Sequence, residues 1–151
     1  MLAIKENSLS VEAARKFVEE WFDGLYHNRQ SEIIEERFDA NGIVHGLGGE
    51  QMIGPKGFRA FYEPFVAAYP VIRIIIEDIV VMGGRVALRC LAQVENAQGQ
   101  KGSLEGVAFI TVRNGKMTEA WNSWDFMGLF TQMELLPEDA FVRGVQGKKI
   151  A

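Results

Sequence analysis

Few side chains in this sequence can move a proton, hold a metal or attack an electrophile, and one of them stands out. Asp125 sits in Trp121-Asn122-Ser123-Trp124-Asp125-Phe126, among large aromatics on an expected strand. A carboxylate enclosed by indole and phenyl rings is costly to ionise, so its pKa is expected to rise toward the range useful for proton transfer. The same position admits a structural role, in which Asp125 caps the segment Phe126–Met133 or pairs with an arginine. His45 precedes the glycines Gly46, Gly48 and Gly49. It could share the proton work or orient a carbonyl if it lines a cavity, or bond a loop at a strand end. Arg89 falls opposite Asp78 if Gly83-Gly84 is a turn, which makes a cross-strand ion pair its simplest reading. Glu119 lies six residues before Asp125. At ~3.3 Å per residue they stand about 20 Å apart, too far for a carboxylate pair. Tyr62 and Tyr69, with Trp21 and Phe22, read mainly as core, each able to edge a pocket. Cys90 alternates with apolar residues and reads as an inert core thiol.

Other chemistries are poorly served. One cysteine and two histidines, His27 and His45, leave no internal disulfide, no multi-cysteine zinc site and no histidine cage, so no metal is expected. Gly46-Leu47-Gly48-Gly49 lacks the lysine of a phosphate-binding loop, and neither G-x-S-x-G nor H-E-x-x-H occurs. With 16 Lys+Arg against 20 Asp+Glu, the formal charge of -4 argues against nucleic acid or an anionic membrane as partner. The longest apolar stretch, Val71–Val81, is interrupted by Arg73, Glu77 and Asp78 and is too short to span a bilayer. Met1–Ser10 lacks the apolar core of a signal peptide, so a cytoplasmic protein is expected.

The elements that must position these residues follow from periodicity. The 151 residues fit one domain, 1–151, with 138–151 expected to trail as a flexible tail. Ser10 is a candidate N-cap, followed by one apolar stripe through Val11, Ala14, Phe17, Val18, Trp21, Phe22 and Leu25. Ser31–Phe38 predicts a short second helix, broken by Asp39-Ala40-Asn41-Gly42, and Ile43–Leu47 a short strand. Gly54-Pro55 opens a third helix with Phe58, Phe61, Tyr62, Phe65, Val66 and Tyr69 on one face, stopped at Pro70. Then the period changes. Val71–Met82, Arg85–Glu95, Lys101–Arg113 and Lys116–Phe126 predict four long strands in a meander, the last two joined by an Asn114-Gly115 hairpin turn. Helices first and strands later predict an α+β fold with helices on one face of a sheet.

A two-residue turn at Asn114-Gly115 sets the faces. It puts Leu104, Ala108, Ile110, Val112, Met117 and Trp121 on one side, with Glu119, Ser123 and Asp125. Val107, Phe109, Ala120 and Trp124, with Asn122, fall on the other. A bulge would exchange them. Both faces are apolar in the middle, which predicts helices against one and a second copy of the chain against the other.

Three pieces carry a resemblance: Gly54-Pro55-Lys56-Gly57-Phe58-Arg59-Ala60-Phe61 with Ala67-Ala68-Tyr69-Pro70; Ile76-Glu77-Asp78-Ile79-Val80-Val81 with Arg85-Val86-Ala87-Leu88-Arg89; and Gly115–Asp125 with Gly128-Leu129-Phe130-Thr131-Gln132. In this order, from about Val11 to Pro137, the chain resembles the SnoaL-like polyketide cyclases of the NTF2-like (ketosteroid isomerase-like) superfamily. The resemblance implies an NTF2-like cone, a curved antiparallel sheet wrapped by three N-terminal helices around a pocket for a small hydrophobic ligand. It also implies a homodimer through the outer sheet face. The implied activity is cofactor-independent proton abstraction next to a carbonyl, giving aldol closure or isomerisation, with Asp125 at the acidic position. Asn122 lies close to the acid of related epoxide hydrolases, and the amide there speaks against epoxide opening. Asn122, Trp121, Trp124, Arg89 and Tyr62 would bind the substrate, and His45 would join Asp125 in the chemistry. The histidine-containing segment common in the cyclases is missing from Ala92–Gly106, so a non-catalytic binding dimer is the alternative.

Overall fold

Ser10 opens the first helix as its spacing predicts: its hydroxyl accepts a hydrogen bond from the Ala13 N–H at 3.0 Å. The computed structural model describes residues 8–150; residues 1–7 and 151, and with them most of the stretch Met1–Ser10 read for a leader, lie outside the described residues. Helix α1 (Val11–Phe22) buries Ala14, Phe17, Val18, Trp21 and Phe22, the expected stripe. It runs on through a π-helical turn, Asp23–His27, that buries Leu25 and Tyr26. A second short helix, α2 (Ile33–Arg37), leads into β1 (Phe38–His45), and β2 (Met52–Ile53) precedes α3 (Gly54–Ala68). The strand begins earlier than the Asp39–Gly42 breaker suggested. Phe38 turns from helix to extended backbone, and a register irregularity between Phe38 and Ile43 absorbs the polar residues.

The meander forms with its expected bounds as β3 (Val71–Met82), β4 (Arg85–Glu95) and β5 (Lys101–Arg113), while β6 (Lys116–Trp124) stops two residues short. Asn114 and Gly115 both take positive φ, 50° and 73°, as a two-residue hairpin turn requires. The sheet is open, in the order β2-β1-β6-β5-β4-β3. It is not purely antiparallel: β1 lies parallel to β6, with Val44 beside Ala120 and His45 beside Trp121. Helix α4 (Phe126–Gln132) follows β6 directly, and α5 (Ala140–Val145) forms within the stretch expected to trail. Among the described residues no helix is long and apolar enough to cross a membrane.

Two bulges set the curvature and the faces. On β3 Glu77 is the extra residue, between Ile76 opposite Cys90 and Asp78 opposite Arg89. On β6 Thr118 is the extra residue, since Val112 faces Met117 but Thr111 faces Glu119. An extra residue bends its strand and reverses the side-chain alternation beyond it. The uninterrupted register expected from the turn is therefore corrected from Thr118 onward. Ala120, Asn122 and Trp124 join Leu104, Ala108 and Ile110 on the helix-covered face, and Trp121 goes to the opposite one. Cys90 is fully buried in the core, and burial pushes its thiol up to about 11, as an inert thiol would be.

Candidate functional site

The helix-covered face of the sheet encloses an apolar cavity. Its walls come from α1 and its π turn (Trp21, Phe22, Tyr26), from α3 (Phe58, Phe61, Phe65), and from the inward positions of five strands. Phe126 on α4 and Leu47 in the loop after β1 complete it. The space between these side chains and out to the mouth totals about 690 Å³, of which about 60 Å³ admits the centre of a water molecule. That innermost part alone is room for a few waters, and the rest lies between the side chains and toward the mouth.

The cavity exists because small residues face large ones. Ala92, Ala108 and Ala120 line the sheet side, while Trp21 projects from α1, Phe58 from α3 and Trp124 from the end of β6. Gly106 permits the placement of Trp124, since a Cβ there would stand 2.1 Å from the indole. Polar groups are few. Asn122 lines the cavity, donates its amide N–H to the His45 carbonyl at 3.2 Å, and accepts from the Trp124 indole N–H at 3.4 Å. Tyr26 also lines it, and burial holds its phenol far above the ordinary tyrosine range, so it stays protonated at any physiological pH.

The expected site residues divide. Asn122 and Trp124 meet at the cavity. Tyr62 is buried behind the wall, its hydroxyl donating to the Leu25 carbonyl at 2.7 Å, and it ties α3 to the end of α1. Asp125 is not enclosed by rings. It is exposed at the head of α4, where its carboxylate accepts the Gly128 N–H at 2.9 Å as an N-cap. The expectation of a shielded carboxyl is corrected. The Thr118 bulge and the strand's end at Trp124 turn Asp125 outward, and the free Gly128 amide in the first turn of the following helix claims its Oδ1.

Trp121, His45 and Arg89 also lie away from the cavity, on the outer sheet face, contrary to their reading as pocket residues. Val44 and Ala120 point inward, so their neighbours His45 and Trp121 point outward, and their rings stack at 3.7 Å between centroids and 10° between planes. The Trp121 indole N–H donates to Glu119 at 3.1 Å, and His45 Nε2 lies 3.7 Å from the same carboxylate. Arg89 pairs with Asp78 at 2.6 Å, as the strand register predicts, and also with Glu77.

Residues missed in the sequence include Tyr26 and Phe38. Tyr26 lies four residues after Phe22, so the α1 stripe extended one step further would have found it. Phe38 carries no such signal, because its inward direction depends on where α2 gives way to β1.

Comparison with known proteins places this geometry. The family model described as SnoaL-like polyketide cyclase matches residues 12–133. Among solved structures of the same fold is IdmH of Streptomyces antibioticus, a proposed polyketide cyclase. It is 18% identical over 80% of this chain and 97% of that one, at a TM-score of 0.69. A proposed polyketide cyclase of Bacillus cereus ATCC 10987 is 24% identical over 84% of this chain and 86% of that one, at a TM-score of 0.71. TerC, co-crystallised with polyporic acid, is 20% identical over 79% of this chain and 96% of that one, at a TM-score of 0.67. No curated protein matches the chain.

Proposed function

Because the chain belongs to the SnoaL-like polyketide cyclase family, we propose that its cavity binds an uncharged, carbonyl-bearing hydrophobic small molecule, held at its polar end by Asn122 and flanked by Trp124. The lining carries the reading: it holds an amide and aromatic rings but no Asp, Glu, His, Lys or Arg. An ionised ligand group buried there would go unpaired, whereas a carbonyl can accept from the Asn122 amide or the Tyr26 hydroxyl.

A second reading adds chemistry: cofactor-free proton abstraction next to the ligand carbonyl, as in aldol closure or isomerisation. One observation favours it. The residues on either side of Asp125, Trp124 and Phe126, both line the cavity, so the carboxylate stands beside it in the chain. Asp125 would serve as base after giving up its cap on α4.

Titrating tryptophan fluorescence with α-tetralone, a two-ring ketone, tests binding. Asn122→Leu is expected to weaken it by about 10- to 100-fold, the cost of about 1–3 kcal/mol for a lost buried hydrogen bond. Equal affinity would remove Asn122 from the site. Asp125→Asn is expected to leave that affinity unchanged. In the catalytic reading it cuts turnover of an aromatic 1,3-dicarbonyl substrate by at least about 100-fold. Equal turnover would leave the binding reading standing alone.

The outer sheet face supports a homodimer in this proposal. Val80, Ala87, Phe109, Trp121 and His45 form one row across five strands, each beside the next. Val80, Phe109 and Trp121 are 67%, 52% and 53% exposed, with Val107 beside them at 51%. A second copy would bury this row. In sedimentation velocity, Phe109→Glu is expected to convert a dimer to a monomer, and an unchanged mass would place any interface elsewhere.

A further inference from the structure

One ring on the outer sheet face is left unsatisfied. His45 Nε2 is shut off from water and has no hydrogen-bond partner; among the described residues one other buried side-chain nitrogen, Nη1 of Arg29, is so placed. The ring is fixed by its stack on Trp121 and by the Asn122 amide, which holds the His45 carbonyl. Nε2 faces one oxygen of the Glu119 carboxylate at 3.7 Å, beyond hydrogen-bond length, while the other oxygen accepts the Trp121 indole N–H. Other charges stand off from this pair. On β1 itself Asp39 is six residues back, and Glu50 lies out in the exposed loop that follows. On β6 Lys116 bonds the Glu35 carbonyl, and β2 brings only Met52 and Ile53. Of the helices packed on β1, α2 engages Arg37 with Glu20, and α3 engages Arg59 with Glu35 and Glu63. Lys56, also on α3, belongs to the helix that walls the cavity on the other face of β1. Farther along the outer face, Arg85 lies over the Phe109 ring, with Thr111 between it and Glu119 in the register.

We infer that His45 and Glu119 make association of two copies through this face depend on pH, with the dimer favoured when His45 carries a proton. The inference rests on the dimer reading above and adds its regulation. In a single copy the Glu119 side chain is 42% exposed and keeps water around it. A second copy seated on the row through Phe109 and Trp121 takes that water away. The carboxylate then has one indole N–H as partner, and a charge buried with so little compensation opposes association. A two-fold interface buries the same residue from each copy, so two such carboxylates enter together. Neutral His45 does nothing to offset them: it turns either a lone pair or an N–H too distant to bond toward the oxygen. Protonated His45 sets a full positive charge beside it, and a small tilt of the ring makes a charge-assisted hydrogen bond. The sign follows by linkage. The dimer holds the proton more tightly than the separate copies, so its added stability is present at low pH and is lost as pH rises through the range where a histidine discharges, about pH 5–8.

Sedimentation velocity over a concentration series, at about pH 6 and about pH 8, tests this on the full chain. The unaltered protein is expected to dimerise at least about tenfold more tightly at the lower pH. An acidic chain loses net charge on acidification in any case, so two variants separate the local pair from that general effect. His45→Gln keeps a polar side chain that cannot titrate, and is expected to reduce the ratio between the two pH values to under about threefold. Glu119→Gln removes the carboxylate that His45 offsets, and is expected to dimerise at about pH 8 at least as tightly as the unaltered chain does at about pH 6, again with the ratio lost. Equal dimer strength at both pH values in the unaltered chain overturns the inference and leaves the dimer reading intact. So does either variant keeping the full ratio, which would assign the effect to overall charge. If the unaltered chain stays monomeric at both pH values, the dimer reading and its regulation fall together.

Discussion

Phe38→Ala is expected to cost about 3–5 kcal/mol, read as a lower urea midpoint at fixed protein concentration. Phe38 is only 1% exposed and is among the largest fully buried side chains. Its ring lies 6.2 Å from that of Phe58, and Gly42 crosses it so closely that a Cβ there would stand 2.7 Å away. The same residue opens β1, beside Met117 of β6, and lines the cavity. Removing the ring therefore joins new empty space to space already open, which surrounding side chains are poorly placed to fill. That puts the loss at the upper end for an aromatic truncation. Against a typical stability of about 5–15 kcal/mol, much of the folding free energy goes. Phe38→Leu, which keeps the space partly filled, is expected to lose less. A loss under about 1 kcal/mol for Phe38→Ala would mean that the wall collapses inward and that the cavity is not held open by packing.

Gly46→Ala is expected to cost roughly 2–5 kcal/mol and to abolish α-tetralone binding. Gly46 follows β1 at φ +83°, a conformation that strains any residue with a side chain. A Cβ would also stand 1.8 Å from the Asn122 carbonyl oxygen and 2.8 Å from its carbonyl carbon. Both are backbone atoms of β6, so no rotamer change relieves the contact. The strands must separate where the Asn122 amide holds the His45 carbonyl. The ligand's proposed anchor then moves with β6. Denaturation and ligand titration on the same sample check both effects. A variant with unaltered stability and affinity would show that β1 and β6 tolerate separation at this point. Gly48→Ala, four ångströms clear of other atoms, serves as the control for positive-φ strain alone.

Much of this architecture was legible residue by residue. The α1 stripe, the Asn114-Gly115 turn and the alternation of Val86, Leu88, Cys90, Ala92 and Val94 each depend on neighbours a few positions away, and each formed as its period predicts. Arg89 opposite Asp78 was readable for the same reason, although the nearby Glu77 bulge was not. The resemblance supplied the cone, which periodicity alone did not. The site was less legible. Asn122 and Trp124 were named but placed on the face opposite Leu104 and Ala108, while Trp121 and Asp125 were placed on the same face as those two. One residue, Thr118, made the difference.

Composition and period by themselves determined a helix-then-meander α+β chain with one cysteine, two histidines and both sheet faces apolar. Only tertiary structure decided which polar residues meet the cavity. A bulge forms where the competing register of two paired strands, and the burial of Ala120 and Trp124 beneath the helices, outweigh one lost ladder position. That balance is struck between residues far apart in the chain, and it turned Asn122 inward while leaving Asp125 to cap a helix in solvent.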